Sequence, residues 1–252
     1  MSTHPSNNQS SDTESRSSVG HFASPHWQFD ESVSNVFEDM LARSIPQIQG
    51  MRELVFRAGR RFVQPSSHIV DLGCAHGDAV APFLEEFVET NQFVGIDVSN
   101  PMVEVCRDRF RKQIEARTME LRTDDLRYCY PDVKASLTLA VLTVMFTPIE
   151  YRLRIFSDVF KHTLSGGALI LVEKILGVDP RSDGLLVDLY YEHKQRMGYT
   201  HADIERKRLS LEGVLVPLTA EWNEQILKVA GFGRVECFWR CLNFCAWIAV
   251  RD

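Results

Sequence analysis

The segment His68–Gly77, together with the carboxylate of Asp97, constrains the fold more than any other part of this chain. The apolar run Ile69–Leu72 predicts a buried β-strand, and Gly73 and Gly77 permit a tight turn into a helix. Asp97 lies 20 residues beyond Gly77, at the end of a second apolar run, where a carboxylate can accept hydrogen bonds from both ribose hydroxyls. The spacing therefore predicts a strand–turn–helix–strand unit that binds a nucleoside.

The turn differs from the dinucleotide-binding pattern G-x-G-x-x-G, whose middle glycine makes room for a pyrophosphate. It reads Asp71-Leu-Gly-Cys-Ala-His-Gly77, so an acidic residue precedes the first glycine and Ala75 and His76 add bulk. An acidic residue there repels phosphate and favours an ammonium or a sulfonium group. The motif resembles the first motif of class I S-adenosylmethionine-dependent methyltransferases. The alternative is a turn with a structural role only.

The order of predicted elements indicates the fold class. Strands alternate with helices five times, which predicts a parallel sheet covered by helices on both faces. The fifth of these strands is expected at Ala168–Val172, after a turn at Ser165-Gly-Gly167. Near the C-terminus, Arg234–Arg240 and Phe244–Arg251 predict two strands whose short connection requires antiparallel pairing. We therefore expect an α/β fold: a seven-stranded doubly wound sheet of the class I methyltransferase type with a terminal antiparallel hairpin. N-terminal helices are expected within Trp27–Gln49, where Pro46 interrupts the pattern, and within Gln49–Phe62.

The chain divides into a tail, one domain and an insertion. Residues 1–20 are rich in Ser, Asn and Thr, which predicts a disordered tail. Residues 21–252 predict one S-adenosylmethionine-binding methyltransferase domain. Residues 174–221, between the fifth strand and the last helix, predict a helical cap over the pocket, where substrate choice is expected to reside. The alternative for this insertion is a solvated helix pair that only covers the sheet.

Composition excludes several classes of protein. No apolar run approaches the length of a membrane span, although 44% of the residues are hydrophobic. The net charge of −6 argues against nucleic acid as a direct partner, but it allows a small anionic substrate. The six cysteines are scattered along the sequence, and no signal peptide is recognised ahead of them. Both observations predict reduced thiols and a cytoplasmic location. Cys237, Cys241 and Cys245 recur every fourth residue but in a strand-like segment, so no metal site is predicted.

From Trp27 to the C-terminus the sequence resembles the carboxy-S-adenosylmethionine synthases. These bacterial enzymes use prephenate to carboxylate the methyl group of S-adenosylmethionine, for modification of the wobble uridine of tRNA. The motifs that carry the resemblance include Phe29-Asp-Glu31, Arg43-Ser-Ile-Pro46, Arg61-Phe-Val-Gln-Pro65, Glu173-Lys174, Gly198-Tyr199, Lys207-Arg208 and Asn243-Phe244. The resemblance implies that Arg208 pairs with the added carboxylate, for which a planar guanidinium is suited. This chain departs from the family at two positions. The resemblance implies a tyrosine that contacts the cofactor where this chain has Ile48, and an asparagine at the end of the fourth strand where it has Val141.

Ligands of open α/β sheets bind beyond the carboxyl ends of the strands, which brings the candidate residues to one edge. Asp97 is expected to bind the ribose and Asp125 the adenine amine, with the methionine end near Asp71 and Gly73. The predicted residues for S-adenosyl-L-methionine are Asp71, Gly73, Cys74, Ala75, Asp97, Val98, Asp125, Leu126 and Val141. The catalytic candidates Arg208, Tyr199 and His193 lie in the cap, and Tyr190 and Tyr191 are further candidates by location.

Loss of the two polar positions favours ordinary methyl transfer to a small, carboxylate-bearing acceptor, which Arg208 would hold. Carboxy-S-adenosylmethionine synthesis is the alternative, and a binding module without turnover is a third hypothesis. A homodimer is also expected. The segments Trp27–Ile48 and Phe238–Phe244 carry more apolar surface than one sheet edge can cover, and the resemblance implies association through comparable regions.

Overall fold

A single twisted sheet organises the part of the chain that the computed structural model describes, residues 27–252. The predicted tail at residues 1–20 lies outside the described residues. The strands are β1 (His68–Leu72), β2 (Gln92–Asp97), β3 (Met119–Thr123), β4 (Ala135–Val141), β5 (Thr163–Leu176), β6 (Leu218–Thr219), β7 (Arg234–Cys241) and β8 (Phe244–Val250). The helices are α1 (Glu31–Ser34), α2 (Phe37–Ser44), α3 (Ile48–Gly59), α4 (Ala81–Phe87), α5 (Asn100–Arg109), α6 (Arg111–Glu115), α7 (Ile149–His162), α8 (Pro180–Arg196), α9 (His201–Ser210) and α10 (Ala220–Ala230).

The strand order of the sheet is β3-β2-β1-β4-β5-β8-β7. Strands β1 to β5 pair in parallel, whereas β8 runs antiparallel to both β5 and β7. The two-residue strand β6 lies outside this order and pairs in parallel with the end of β5. The expected α/β fold, with its doubly wound sheet and terminal hairpin, is therefore confirmed, and β6 is an addition to it.

Helices cover the sheet on both faces and bury its central strands completely. On one face, Met51 of α3 and Phe83 of α4 pack against the sheet. On the other face, Phe156 of α7 and Leu227 of α10 do the same. A strand buried on both faces reads as a continuous apolar run, since neither row of side chains meets water. This is why the central strands could be recognised from the sequence.

The structure corrects two element boundaries. The helical pattern expected over Trp27–Gln49 is broken before Pro46. Asp30 begins a short α1 by accepting a hydrogen bond from the Val33 N–H, and a turn at Asn35 and Val36 ends it. A second helix, α2, then begins at Phe37. Strand β5 is also much longer than the expected Ala168–Val172, since its first residues pair with β4 across an irregular register and its last residues pair with β6.

Helices α8 and α9 lie within residues 174–221, the segment predicted to form the cap. Asp179 accepts hydrogen bonds from the N–H groups of Arg181 and Ser182 and so begins α8. Thr200 and Asp203 form a reciprocal capping box at the start of α9. Both helices therefore have defined starts, and the side chains they direct toward the sheet are positioned by the fold.

Much of the apolar surface from which a homodimer is expected is buried within one chain. Trp27, Phe37, Met40 and Ile48 are buried within the described chain, and so is Trp239 of the hairpin. The first four line the cavity at the carboxyl edge of the sheet, and Trp239 packs in the same hydrophobic cluster as Phe244. The homodimer stays a prediction, now without this support.

A buried carboxyl group anchors the loop that follows β4. Glu173 is almost fully buried and accepts hydrogen bonds from the N–H groups of Thr143, Val144 and Met145. The guanidinium of Arg152, also buried, lies near enough to stabilise the charged carboxylate, yet one Glu173 oxygen has no hydrogen-bond partner. Burial outweighs these effects and raises the pKa of Glu173 to about 8.

Replacing Glu173 with Gln should change how stability depends on pH. The raised pKa means that the folded state keeps a proton which the unfolded chain releases, so the contribution of Glu173 is present at low pH and is lost as pH rises toward 8. Between about pH 5 and about pH 8, the unfolding free energy of the wild type should fall relative to that of Glu173→Gln by up to ~1.4 kcal/mol per pH unit. Denaturant titrations measure this difference. Glu150→Gln, at an exposed position in the first turn of α7, serves as the control. If the unfolding free energies of the wild type and of Glu173→Gln depended on pH in the same way, the raised pKa of Glu173 would be contradicted.

Candidate active site

A cavity of about 480 Å³ opens at the carboxyl edge of the parallel strands, a volume within the range of small-molecule sites. Its floor consists of the turn after β1, the ends of β2 and β4, and the loop after β3. Trp27, Phe37 and Met40 cover it from the N-terminal side. Tyr190 of α8 and Leu211 after α9 close it from the cap. All these parts meet because parallel strands end at one edge of the sheet.

The turn after β1 is compact and approaches the cavity with its backbone. Gly73 has a φ of +69°, and a Cβ atom at this position would collide with the side chain of Thr143. The N–H groups of Gly73 and Cys74 both donate to the carbonyl of Ile96, at 2.7 and 2.9 Å. Only glycine fits this combination of positive φ and close contact.

Two residues of the cavity wall have left-handed backbones although they are not glycine. Ala75 has a φ of +44° and Leu142 a φ of +59°, and both line the cavity. Such conformations cost free energy and persist where the surrounding structure enforces them, most often at functional sites. The strain lies in the two loops that would meet a ligand.

Asp97 projects from the end of β2 into the cavity wall. One carboxylate oxygen accepts the N–H of Ala75 at 3.0 Å, and the other accepts the N–H of Ser99 at 2.8 Å. Burial raises the pKa of Asp97, and these backbone hydrogen bonds oppose that shift. Each oxygen keeps a further lone pair, so the carboxylate can still accept hydrogen bonds from a ribose.

Asp71, predicted to lie near the methionine end of the cofactor, does not line the cavity. Its side chain is 1% exposed and lies beneath the turn rather than in the cavity wall, because β1 is buried on both faces. One carboxyl oxygen has no hydrogen-bond partner. Burial raises the pKa of Asp71 well above its usual value, and Asp97 and Asp78 add to the shift. A cationic group bound nearby would favour the charged Asp71 carboxylate.

At the opposite side of β2, Asp125 and Leu126 line the cavity after β3. The Asp125 carboxylate accepts hydrogen bonds from the backbone N–H of Arg127 at 2.9 Å and from its guanidinium at 2.6 to 3.1 Å. This pairing with Arg127 lowers the pKa of Asp125. Asp125 is therefore charged and oriented before any ligand arrives.

The predicted cofactor residues mostly come together, whereas the predicted catalytic residues do not. Apart from Asp71, every one of the former lines the cavity: Gly73, Cys74, Ala75, Asp97, Val98, Asp125, Leu126 and Val141. Ile48, the other position that departs from the resemblance, lines it as well. The catalytic candidates Arg208, Tyr199 and His193 are absent from its wall among the described residues.

Each of these three side chains has another environment. Arg208 lies three residues after Glu205 on one face of α9, and its guanidinium donates twice to that carboxylate, at 2.7 and 2.9 Å. The Tyr199 ring is stacked under Arg43, with its hydroxyl 3.4 Å from the Ser44 hydroxyl. His193 is half-buried on α8, and burial with Arg196 and Lys194 lowers its pKa.

Sequence reasoning missed three lysines of the cavity wall. Lys174 lies near the end of β5, Lys194 on α8 and Lys207 on α9, and all three line the cavity. A signal for two of them is present in the sequence. Lys194 follows Tyr190 by four residues and Lys207 follows Ile204 by three, so each lysine falls on the buried face of its helix. Lysines at such apolar spacing are unusual, since lysine is rarely buried without a partner.

Residues 27–252 contain neither a metal-binding cluster nor a membrane-spanning helix. No group of three or more His, Cys, Asp or Glu side chains there is arranged to hold a metal ion. In the same range, no helix is both long and apolar enough to span a bilayer. All six cysteines are free thiols.

Comparison with known proteins agrees with this architecture. A family model described as a methyltransferase domain matches residues 69–167. Carboxy-S-adenosyl-L-methionine synthases from Actinobacillus pleuropneumoniae and Methylococcus capsulatus are 33% and 35% identical to the chain, over 88% of its length and 92% and 93% of theirs. An O-methyltransferase family protein from Burkholderia thailandensis has a similar fold, with a TM-score of 0.61 at 15% identity. That match covers 89% of this chain and 61% of the other.

The fold and the matching methyltransferase domain define an S-adenosylmethionine-dependent transferase of the methyltransferase class. Within that class, the chain belongs to the family of the carboxy-S-adenosyl-L-methionine synthases. The cavity fits S-adenosylmethionine on its own geometry. The backbone of Gly73 lines the cavity, and the Asp97 carboxylate faces it with lone pairs available.

Removing the Asp97 carboxylate should weaken the binding of S-adenosylmethionine and of its demethylated product. Asp97→Ala leaves the ribose hydroxyls without a charged acceptor, so affinity should fall by ~1–3 kcal/mol, measured by titration calorimetry. Asp108→Ala, at an exposed site on α5, is the control and should bind normally. Unchanged affinity in Asp97→Ala would show that the ribose lies elsewhere.

Proposed function

We propose that this chain transfers the methyl group of S-adenosylmethionine to a small, carboxylate-bearing acceptor. The observation that carries this proposal is the apolar character of the middle of the cavity, where Ile48 and Val141 form the wall. Val141 ends β4, which lies between β1 and β5 in the sheet. The reacting group is expected over this central strand, between the nucleoside side and the cap side.

An apolar wall favours a bare methyl group over a carboxylated one. A carboxylate next to Ile48 and Val141 would lose hydrogen bonds to water without gaining polar partners, at a cost of ~1–3 kcal/mol for each unmet contact. The resemblance implies that Arg208 would hold such a carboxylate. In this chain, however, the Arg208 guanidinium pairs with Glu205 and does not line the cavity.

When bound, S-adenosylmethionine supplies an electrophilic methyl group on a sulfonium. The chain contributes alignment and the exclusion of water, which are the main requirements of an in-line displacement. Asp97 and the Gly73 turn would orient the nucleoside, and the apolar roof of Trp27, Phe37 and Met40 would keep the reacting atoms dry. The cationic cap side offers lysine amines for the carboxylate of the acceptor.

Carboxy-S-adenosylmethionine synthesis is the second candidate. It is favoured by the names of relatives that are 33% to 35% identical along more than nine tenths of their own length. Both candidates need a small anionic substrate beside the sulfonium, so the lysines of the cap side are compatible with either. They differ in the group that the middle of the cavity must accept.

Incubation with S-adenosylmethionine and prephenate should separate the two candidates. We expect no carboxylated cofactor above background by mass spectrometry, because its carboxylate lacks polar partners at Ile48 and Val141. The double variant Ile48→Tyr with Val141→Asn should gain affinity for carboxylated cofactor by about tenfold or more. Ile48→Phe with Val141→Leu is the apolar control of similar size and should show no gain.

Carboxylated product at catalytic turnover in the wild type would overturn the proposal in favour of the second candidate. Methyl transfer itself is measured as S-adenosylhomocysteine formed with a panel of small mono- and dicarboxylic acids. We also propose that the protein is cytoplasmic and makes no direct contact with nucleic acid. The predicted homodimer is tested separately, by light scattering at micromolar concentration.

A further inference from the structure

A pair of oppositely charged side chains lies in the cavity wall beside the turn after β1. Arg52 is on α3, one helical turn after Ile48, and Asp78 directly follows Gly77 at the end of the turn. Both side chains are mostly buried, with 24% and 15% of their surface exposed. Arg52 Nη2 donates to Asp78 Oδ2 at 2.8 Å. Neither residue belongs to the set that the sequence predicts for the cofactor.

The Asp78 carboxylate is shared between two arginines. Its Oδ1 accepts a hydrogen bond from Arg109 Nη1 at 2.6 Å, and the same Nη1 donates to the His76 carbonyl at 2.9 Å. Burial opposes the ionisation of Asp78, but the hydrogen bond from Arg109 and the charge of Arg52 outweigh it and lower the pKa. Two guanidinium charges therefore face one carboxylate, and one positive charge is left over at the cavity wall.

Arg52 keeps most of its hydrogen-bond donors available. A guanidinium has five N–H donors in a planar fork. Within residues 27–252, the hydrogen bonds of Arg52 go to Asp78 through Nη2, and its Nε and Nη1 make none. Arg109 is not part of the cavity wall in the same range. Arg52 is therefore the arginine of this group that can donate to a ligand.

The position of Arg52 distinguishes it from the other cations of the cavity. Among the described residues, the cationic side chains that line the cavity are Arg52, Arg127, Lys174, Lys194 and Lys207. Arg127 pairs with Asp125 after β3. The three lysines belong to β5, α8 and α9, on the far side of β4 from β1. Arg52 alone among them is tied to the turn after β1, through its hydrogen bond to Asp78.

We propose that Arg52 binds the α-carboxylate at the methionine end of S-adenosylmethionine. The inference deepens the proposed function and rests on the same cofactor site. The expected order along the strand ends is adenine at Asp125, ribose at Asp97 and the methionine end at Gly73, which follow β3, β2 and β1. The cation attached to the last of these positions is Arg52. Its planar fork can donate to both oxygens of a carboxylate at once.

The charge pattern around Arg52 also suits this ligand. The methionine end is a zwitterion, with an ammonium group on the same carbon as the carboxylate. A wall that presents the Asp78 carboxylate next to the Arg52 guanidinium is complementary to such a group. Because Nη2 is fixed on Asp78, the guanidinium also loses less conformational freedom when a ligand binds.

The test compares two ligands that differ only in this carboxylate. S-adenosylhomocysteine carries it, whereas 5′-deoxy-5′-(3-aminopropylthio)adenosine keeps the ammonium and lacks it. Both are titrated into the full chain by calorimetry. Arg52→Met should weaken the binding of S-adenosylhomocysteine by about tenfold or more, because a charge-assisted contact is lost. The affinity of this variant for the analogue should stay within about twofold of the wild type.

Two further variants sharpen the comparison. Arg52→Lys keeps the charge but loses the planar fork, so its affinity for S-adenosylhomocysteine should lie between those of the wild type and Arg52→Met. Arg57→Met is the matched control, since Arg57 is on the same helix, is 65% exposed and pairs with Glu53. It should leave both affinities unchanged. Retained binding of the analogue shows at the same time that each variant is folded.

Equal weakening of both ligands by Arg52→Met would overturn the inference, because it would mean that Arg52 only supports the fold of the turn. Unchanged affinity for S-adenosylhomocysteine would also overturn it and would place the carboxylate elsewhere, such as at the lysines of the cap. Either result leaves the proposed function standing. A wild type that binds neither ligand would refute the proposed function together with this inference, so the two failures are distinguishable.

Discussion

The contact between Gly73 and Thr143 is the constraint on which the active-site edge of this protein depends. The positive φ of Gly73 bends the chain directly after β1, and the missing Cβ lets the loop after β4 pack against it. The same turn is tied to β2 through the carbonyl of Ile96. One glycine therefore joins the ends of three strands. Because parallel strands end at one edge, the cavity forms where this junction leaves room.

The polarity of the cavity changes from one side to the other, and this pattern connects structure with chemistry. Asp97, with Asp71 beneath it, makes the β1–β2 side acidic. Ile48 and Val141 make the middle apolar. Lysines make the cap side basic, although the chain as a whole carries a net charge of −6. A sulfonium is favoured beside acids and an anion beside lysines, while an apolar middle keeps water from the reacting group.

Much of the fold could be predicted from the sequence, because its elements carry strong local signals. The central strands are buried on both faces, so β1, β2 and β4 read as apolar runs, and the Gly73 turn has a motif of its own. Predictions failed where local signals compete. The turn at Asn35 and Val36 ended α1 inside an apolar helical pattern, and pairing with β4 extended β5 across two glycines that read as a turn.

The candidate site divides in the same way. Gly73, Asp97 and Asp125 were predictable from the sequence by itself, since each ends or follows a recognisable strand and parallel strands bring their ends together. Which residues of the cap face the cavity was decided only by tertiary structure. Neighbouring residues on a helix point about 100° apart, so the packing of α9 turns either Lys207 or Arg208 inward, never both. The buried Ile204 and the hydrogen bond from the Trp27 N–H to the Ser210 carbonyl set that orientation, and they place Lys207 in the cavity and Arg208 beside Glu205.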